Sequence, residues 1–356
     1  LLLKIMTSIL NNIFYQHRRR QSPPVTQVTE PTRLFVAGSN ATPGKGSAYY
    51  DLIDSTWHAL ADMPANKFKS LGDYPGTSHL SAFSNKIAFM GCEGSNQYLY
   101  VYDVLTNIWS PFDVNVGYDY CSCGEVLSGG RYLVGWQHTT GYTFIYDPVT
   151  NTTSHGTSPG NIEYQLSCTL ASGKILEIDI YNAVTHIFTD DGGSGSWTTG
   201  ASLSANHTRG GIIRLTDGRL LHTGASVNAS CSDPAVSVWG VVTNAPGDMS
   251  ESQGVVLPDS RVVFAGGALR NIYIYTPGVW TSGDAPNLNA GTWATSTNST
   301  VSKSYMPTVL YSAFTKKVYI VGGSNHISVW NPVTDTIADL VIPVDLNINL
   351  PLGILY

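Results

Sequence analysis

Seven copies of one strand pattern recur along this chain, and that periodicity restricts its fold more than any other feature. Each copy contains an apolar stretch that usually ends in glycine: Leu34 to Gly38, Ile87 to Gly91, Tyr132 to Gly135, Ile175 to Ile178, Leu220 to Gly224, Val262 to Gly267 and Val318 to Gly323. From the second copy on, a tight polar turn such as Ser128-Gly129-Gly130 or Asp217-Gly218-Arg219 precedes it, and one more apolar strand precedes the turn. A polar gap follows, then an aromatic residue, Asp or Asn, a turn, and a closing residue seven positions after the aromatic. The clearest examples are Tyr50 to Trp57, Tyr102 to Trp109, Tyr146 to Thr153 and Trp330 to Ile337. Asp, Asn and Pro supply the turn, and residues flanking a hairpin can meet on one sheet face. The copies are spaced by about 42 to 56 residues, near the repeat length of propeller blades.

The ends of the repeat support the same reading. The first copy begins at its second strand, Arg33 to Gly38, and lacks the innermost one; Pro351 to Tyr356 resembles the missing strand, as comparison with Pro307 to Tyr311 shows. A final strand that pairs with the first copy would close a ring and remove an open sheet edge. The pattern predicts an all-β protein, a seven-bladed β-propeller of four-stranded antiparallel blades over residues 33–356, closed by its C-terminal strand.

Ahead of it, residues 1–20 read as a short N-terminal helical arm and residues 21–32, with three prolines, as an extended linker. Leu2, Ile5, Met6, Ile9, Leu10, Ile13 and Phe14 follow helical spacing, and Arg18, Arg19 and Arg20 end the apolar run. That run is too short to span a membrane, and its basic cluster follows it, the reverse of a secretory leader.

Composition narrows the function classes. Charged residues make up 12%, against roughly 25% in ordinary soluble chains. The hydrophobic share is 42%, with 35 Gly, 20 Tyr and 8 Trp, which suits aromatic-rich strands and tight turns and excludes a mostly helical protein. The formal charge is -6 although the first twenty residues carry Lys4 and three arginines without an acid, so the propeller is more acidic still and should repel nucleic acid. The five cysteines follow no zinc spacing and read mainly as small buried residues.

The double glycine, the tyrosine and the tryptophan seven residues later resemble the Kelch repeat, and residues 33–356 are similar to Kelch-type β-propellers. The fourth copy departs from that pattern, with Ile178-Asp179 in place of Gly-Gly and a longer interval from Phe188 to Trp197; the fifth, ending in Val238-Trp239, is degenerate. The best-known Kelch-type enzymes resemble galactose oxidase, whose copper is held by two tyrosines, one of them cross-linked to a cysteine, and two histidines. This sequence has no Tyr-His dipeptide, although Tyr118, Tyr120, Cys121 and His138 could approach one another on one face. No cofactor and no metal is expected.

In a four-stranded meander the connections from strand one to two and from three to four lie at one end of the blade, and the others lie at the opposite end. The short turns fall at the first end. The longer segments, 37–48, 62–77, 91–97, 113–121, 135–141, 155–164, 225–234 and 282–305, are expected at the second, where a rigid scaffold usually carries its binding residues. Tyr74, Tyr118, Tyr120, Trp136, His138, Tyr164, Trp293 and Tyr305 are the ligand-binding candidates there, because aromatic faces stack on sugars and peptide side chains. Packing of the loops themselves is the alternative use of those rings.

Catalytic signatures are sparse. No HExxH, Walker or EF-hand pattern occurs. Gly156 to Gly160 matches GxSxG but contains Pro159 and follows a hairpin, where a nucleophile elbow needs a strand before it and a helix after it. Asp190 to Trp197 resembles an aspartate box with altered spacing and reads as a hairpin turn. Asn40, Asn151, Asn206, Asn228 and Asn298 begin N-glycosylation triplets.

The expectation is a non-enzymatic structural or binding propeller in a larger extracellular or virion assembly. A protein partner would be engaged through Ile5, Ile9, Ile13, Phe14, Arg18, Arg19 and Arg20, and protein or glycan through the loop face. An extracellular carbohydrate-active or galactose-oxidase-like enzyme, and a Kelch adaptor, are the alternatives.

Overall fold

The structure, a computed structural model, describes residues 31–356 except 39–45, 65–80, 84, 94–95, 114–120, 128, 137–142, 161–164, 180–181, 204–209, 225–226, 251, 267–269, 285–290, 301–306, 323–324, 347 and 349–351. The arm expected over residues 1–20 and most of the linker lie outside the described residues.

Seven four-stranded antiparallel sheets follow one another along the chain. Blade 1 contains β1 (Arg33–Ala37), β2 (Ser47–Asp51) and β3 (Thr56–Ala59); blade 2 contains β4 (Ser81–Phe83), β5 (Lys86–Glu93), β6 (Asn96–Asp103) and β7 (Ile108–Asp113). Blade 3 is β8 (Cys121–Val126), β9 (Tyr132–Trp136), β10 (Thr143–Asp147) and β11 (Thr152–Gly156). Blade 4 is β12 (Gln165–Thr169), β13 (Ile175–Asp179), β14 (Val184–Thr189) and β15 (Ser196–Thr199). Blade 5 is β16 (Ile212–Arg214), β17 (Leu220–Thr223), β18 (Ala229–Ser232) and β19 (Trp239–Val241). Blade 6 is β20 (Ser252–Val256), β21 (Val262–Gly266), β22 (Asn271–Thr276) and β23 (Thr292–Ser299), and blade 7 is β24 (Thr308–Ser312), β25 (Lys317–Val321), β26 (His326–Asn331) and β27 (Thr336–Val341). The final strand, β28 (Leu352–Leu355), is the innermost strand of blade 1 and sets Ile354 opposite Phe35. Inner strands touch their neighbours all the way round, from β4 through β8, β12, β16, β20 and β24 to β28 and back to β4. The ring is closed as the repeat predicted.

Burial explains the apolar second strands. Seven apolar clusters each lie between two adjacent blades. Leu34 and Val36 pack toward blade 7, while Phe35 and Ala37 pack toward blade 2. A strand buried on both faces reads as a continuous apolar run instead of an alternating one. Gly124 on β8 shows how closely strands one and two fit: a Cβ there would lie 2.0 Å from the Tyr132 hydroxyl oxygen.

The aromatic-Asp/Asn motif is a hairpin whose side chains serve two blades. The Asp103 carboxylate accepts the backbone N–H of Leu105 at 3.0 Å and of Thr106 at 3.1 Å; Asp51, Asp147 and Asn331 do the same for Ile53, Val149 and Val333. Four residues after the Asp, the chain turns through positive φ at Ser55, Asn107, Asn151 and Asp335. Asn107 and Asn151 accept the hydroxyl hydrogens of Tyr102 and Tyr146 at 2.8 Å.

The tryptophan at the start of an outer strand does more than meet its aromatic partner. Trp57 donates its indole N–H to Val341 O, Trp109 to Ala61 O, Trp197 to Thr157 O and Trp293 to Thr243 O, at 2.8 to 3.1 Å. In every case the acceptor lies at or just beyond the outer strand of the preceding blade. Replacing Trp109 by Phe should cost about 1–2 kcal/mol, a lost hydrogen bond plus some packing, whereas Trp109→Ala should cost about 3–5 kcal/mol. Denaturant melts distinguish these outcomes, and equal losses would show that the N–H matters more than the ring.

Three of the expected loop segments differ from the expectation. Segment 282–305 contains β23, and segment 225–234 contains β18. The chain between β22 and β23, 277–291, joins strands three and four and therefore belongs to the first end. Within 91–97, β5 and β6 extend to Glu93 and Asn96, so this is a tight hairpin. The fourth copy forms a regular sheet, its extra residues absorbed in the turn before β15.

Candidate functional site

The second end of the propeller is a platform fixed by repeated hydrogen bonds. Where the outer strand leaves for the next blade, its backbone is pinned to the start of strand three: Leu60 N–H to Ser47 O, Gly200 N–H to Thr185 O, Val242 N–H to Ala229 O and Ile342 N–H to Asn325 O, at 2.8 to 3.0 Å. Buried hydroxyls reinforce this, with Ser47 and Thr185 donating to Ala61 O and Ala201 O at 2.7 Å. These polar side chains are satisfied internally and hold the bases of the long connections.

Six of the candidate binding residues, Tyr74, Tyr118, Tyr120, His138, Tyr164 and Tyr305, lie outside the described residues. Trp136 is the last residue of β9, at the second end, and pairs by backbone with Cys121. Trp293 is placed differently from the expectation. It lies in β23 opposite Tyr275, its ring 4.8 Å from that tyrosine, and it packs into the interface of blades 5 and 6. The reason is that Thr292–Ser299 reads as a polar loop while forming an outer strand.

The inner strands of blades 3 to 5 carry a polar cross-link. Glu125 on β8 accepts the hydroxyl hydrogens of Ser167 at 3.2 Å and Thr169 at 2.8 Å, both on β12, and Arg214 on β16 donates to Thr169 O at 2.9 Å. Burial, helped by the Glu125 charge, pushes the Cys168 thiol up to about 12, so it stays protonated at neutral pH and is a poor nucleophile. Cys231 is likewise pushed up to about 12 by burial; both are free thiols, Cys231 buried and Cys168 partly buried. Burial holds His186 below the ordinary imidazole range against the opposing Asp179 charge. Asp179 itself accepts the backbone N–H and side-chain amide of Asn182 at 3.0 and 2.8 Å.

Other sequence motifs resolve into structure. Ser158 of the GxSxG match accepts Gly160 N–H at 3.1 Å, and the next described element is the strand β12, not a helix. In the aspartate-rich hairpin, Asp191 accepts Gly193 N–H at 2.7 Å and Gly195 N–H at 3.0 Å, while Asp190 pairs with Arg131 of blade 3. Asn298 donates its side-chain amide to Asp335 O and Thr297, which occupies the nitrogen that N-glycosylation needs. Among the described residues no three His, Cys, Asp or Glu side chains are grouped to hold a metal ion. Tyr118, Tyr120 and His138 of the copper comparison lie outside those residues.

The cross-blade side chains escaped the sequence reading. Arg219 is fully buried; it pairs with Asp217 and donates to Gly278 O at 2.7 Å, tying blade 5 to blade 6. Only the Asp-Gly-Arg turn gave any sign of it.

No family model matches the chain, and no curated protein matches it. Solved structures similar to it include a fungal alcohol oxidase of the AA5 family in complex with copper, at 15% identity and TM-score 0.57, covering 76% of this chain and 66% of the oxidase. Virginiamycin B lyase from Staphylococcus aureus is similar at 11% identity and TM-score 0.58, over 77% of this chain and 86% of the lyase. A protein from Bacteroides fragilis described as a putative 6-phosphogluconolactonase is similar at 10% identity and TM-score 0.61, over 93% of this chain and all of that one. At such identities the likeness establishes the propeller fold alone.

Proposed function

We propose that this chain is a Kelch-type, non-enzymatic binding propeller, held by residues 1–20 to a protein partner in a larger extracellular or virion assembly and presenting its second end to protein or glycan. The observation that carries this reading is the asymmetry of the two ends. Short turns built on Asp, Asn and Gly cap most of the first end, while the blade-to-blade connections, and the connections between strands two and three of blades 1 and 3, gather at the second, on strand ends pinned by internal hydrogen bonds. Fixed bases under variable loops are the usual arrangement of a recognition surface.

Glycan-array and surface-binding measurements on the full chain test this, with Tyr118→Ala/Tyr120→Ala and Trp136→Ala as variants. Loss of one stacking ring is expected to weaken binding at least about tenfold with no change in melting temperature. Deleting residues 1–20 should leave the melt unchanged and remove incorporation into the assembly. Binding that survives in both loop-face variants, or copper retained in stoichiometric amount, would overturn the proposal.

A further inference from the structure

A carboxylate and a guanidinium stand on the innermost strands where other blades use apolar side chains. At the register position of Glu125 on β8, blades 5, 6 and 7 carry Ile213, Val255 and Leu310. At that of Arg214 on β16, blades 3, 6 and 1 carry Val126, Val256 and Leu355. All six pack into the clusters between blades. The ring therefore joins these blades without a charge at either position, and partly burying two charges costs desolvation. Packing alone does not account for Glu125 and Arg214.

Both charges converge on Thr169 of blade 4. Glu125 accepts its hydroxyl hydrogen at 2.8 Å, and Arg214 donates to its carbonyl oxygen at 2.9 Å. That oxygen faces the axis of the propeller. Leu170 N–H bonds Lys174 O across the hairpin of β12 and β13, and in an antiparallel pair the adjacent residue turns its N–H and C=O the opposite way. Since β12 is the innermost strand of its sheet, the opposite way is the central channel. The Arg214 head group thus stands at the channel wall. Glu125, Thr169 and Arg214 are each partly exposed although they lie on innermost strands, so solvent reaches them along the axis. Burial and then Glu125 push the Cys168 thiol up while Arg214 draws it down, which shows that both charges bear on β12.

A concave wall that is largely apolar and carries a few convergent polar groups is the usual form of a small-molecule site. A guanidinium pairs with a carboxylate, and a carboxylate with an ammonium. The acidic propeller opposes a lone anion, and a zwitterion meets both charges at once. We propose that the central channel, near the first end, binds a free α-amino acid with an apolar side chain. Its carboxylate lies on Arg214, its ammonium on Glu125 and its side chain against Ile213 and Val256. This inference does not depend on what the second end binds.

Calorimetric titration of the full chain with leucine, valine and phenylalanine tests the proposal, with N-acetyl-leucine, which lacks the ammonium, and leucinamide, which lacks the carboxylate, as comparisons. At least one of the three amino acids should bind saturably with a Kd of about 1 mM or tighter. Leucine should bind at least about tenfold more tightly than either analogue, a comparison that needs no variant. Arg214→Gln should bring leucine down to the affinity of leucinamide. Glu125→Gln, which keeps an acceptor for Ser167 and Thr169, should bring it down to that of N-acetyl-leucine. No saturable binding of any of the three amino acids, analogues that bind as tightly as leucine, or an affinity unmoved by both substitutions would each overturn the proposal.

Discussion

Removal of Leu352–Tyr356 is expected to unfold the ring as a whole instead of loosening one blade. β28 supplies the backbone ladder of β1 from Leu34 to Ala37, extended by the reciprocal Arg33–Tyr356 bonds at 3.2 and 3.0 Å. Ile354 and Tyr356 pack with Phe35, Tyr102 and Trp109 toward blade 2, and Leu355 packs with Leu34, Val36 and Val321 toward blade 7. Deletion therefore opens two interfaces and leaves Phe35, now fully buried, facing water. Side chains of this kind contribute about 1.5–3 kcal/mol each and ladder bonds about 0.5–1.5 kcal/mol each. The loss is comparable with the entire net stability of a domain, about 5–15 kcal/mol. The truncated chain should be insoluble or should melt without a cooperative transition in calorimetry. Gly353→Val gives a milder form of the same test, since a Cβ there would lie 2.8 Å from Val321. An unchanged melting temperature for the truncation would mean that β28 does not hold the ring shut.

The second large effect centres on Asp335. Its carboxylate accepts the Ser296 hydroxyl, the Thr297 N–H at 3.1 Å and hydroxyl at 2.9 Å, and the Trp330 indole N–H at 2.9 Å. It therefore joins the outer strand of blade 6 to the closing hairpin of blade 7. Asp335→Ala leaves the buried indole of Trp330 without its acceptor and places a Cβ-bearing residue with no polar group at φ 48. A cost of about 2–4 kcal/mol is expected. Asp335→Asn keeps an acceptor and tolerates that backbone, and should lose less.

Acid pH separates the charge from the geometry. Hydrogen bonds from Ser296, then Trp330 and Thr297, hold the Asp335 carboxyl well below the usual carboxylate range, with burial opposing them. A depressed folded value stabilises the protein above the unfolded value, about 3.9, and that contribution is lost as pH falls through the folded one. The stability gap between parent and Asp335→Asn should therefore be constant near neutrality and shrink below about pH 4. Urea melts along a pH series measure it, and a gap that widens on acidification would contradict the assigned cause.

Much of the architecture was legible in the sequence because its signals are local. An Asp that caps the N–H groups two and three residues on, and an Asn that enters the left-handed region, restrict residue type within one hairpin, so Tyr102 to Trp109 reads as a hairpin without tertiary information. The closing strand was legible by its likeness to Pro307 to Tyr311. β23 was not, because an outer strand facing solvent can be written in Thr, Ser and Asn, and its hairpin loop is long. The tryptophan contacts between blades were hidden for a different reason: their acceptors are backbone carbonyls of Val341, Ala61, Thr157 and Thr243, which impose no residue type. Trp293 reads as a ligand-face ring because 282–305 reads as one long loop, whereas its indole holds blade 5. Of the expected loop-face residues, Trp136 stands at the second end, and the strand ends that carry the loops are where the repeat placed them.

The pairing of β28 with β1 also fixes an order of events in biosynthesis. Blade 1 receives its first three strands early in translation, yet its axial edge stays bare until almost all the rest of the propeller has left the ribosome. Contacts so distant along the chain form slowly, and a waiting sheet edge is a template for any matching strand. Nascent chains at high local density can therefore exchange tails and give interlocked dimers whose blades are each complete and whose termini belong to different polypeptides.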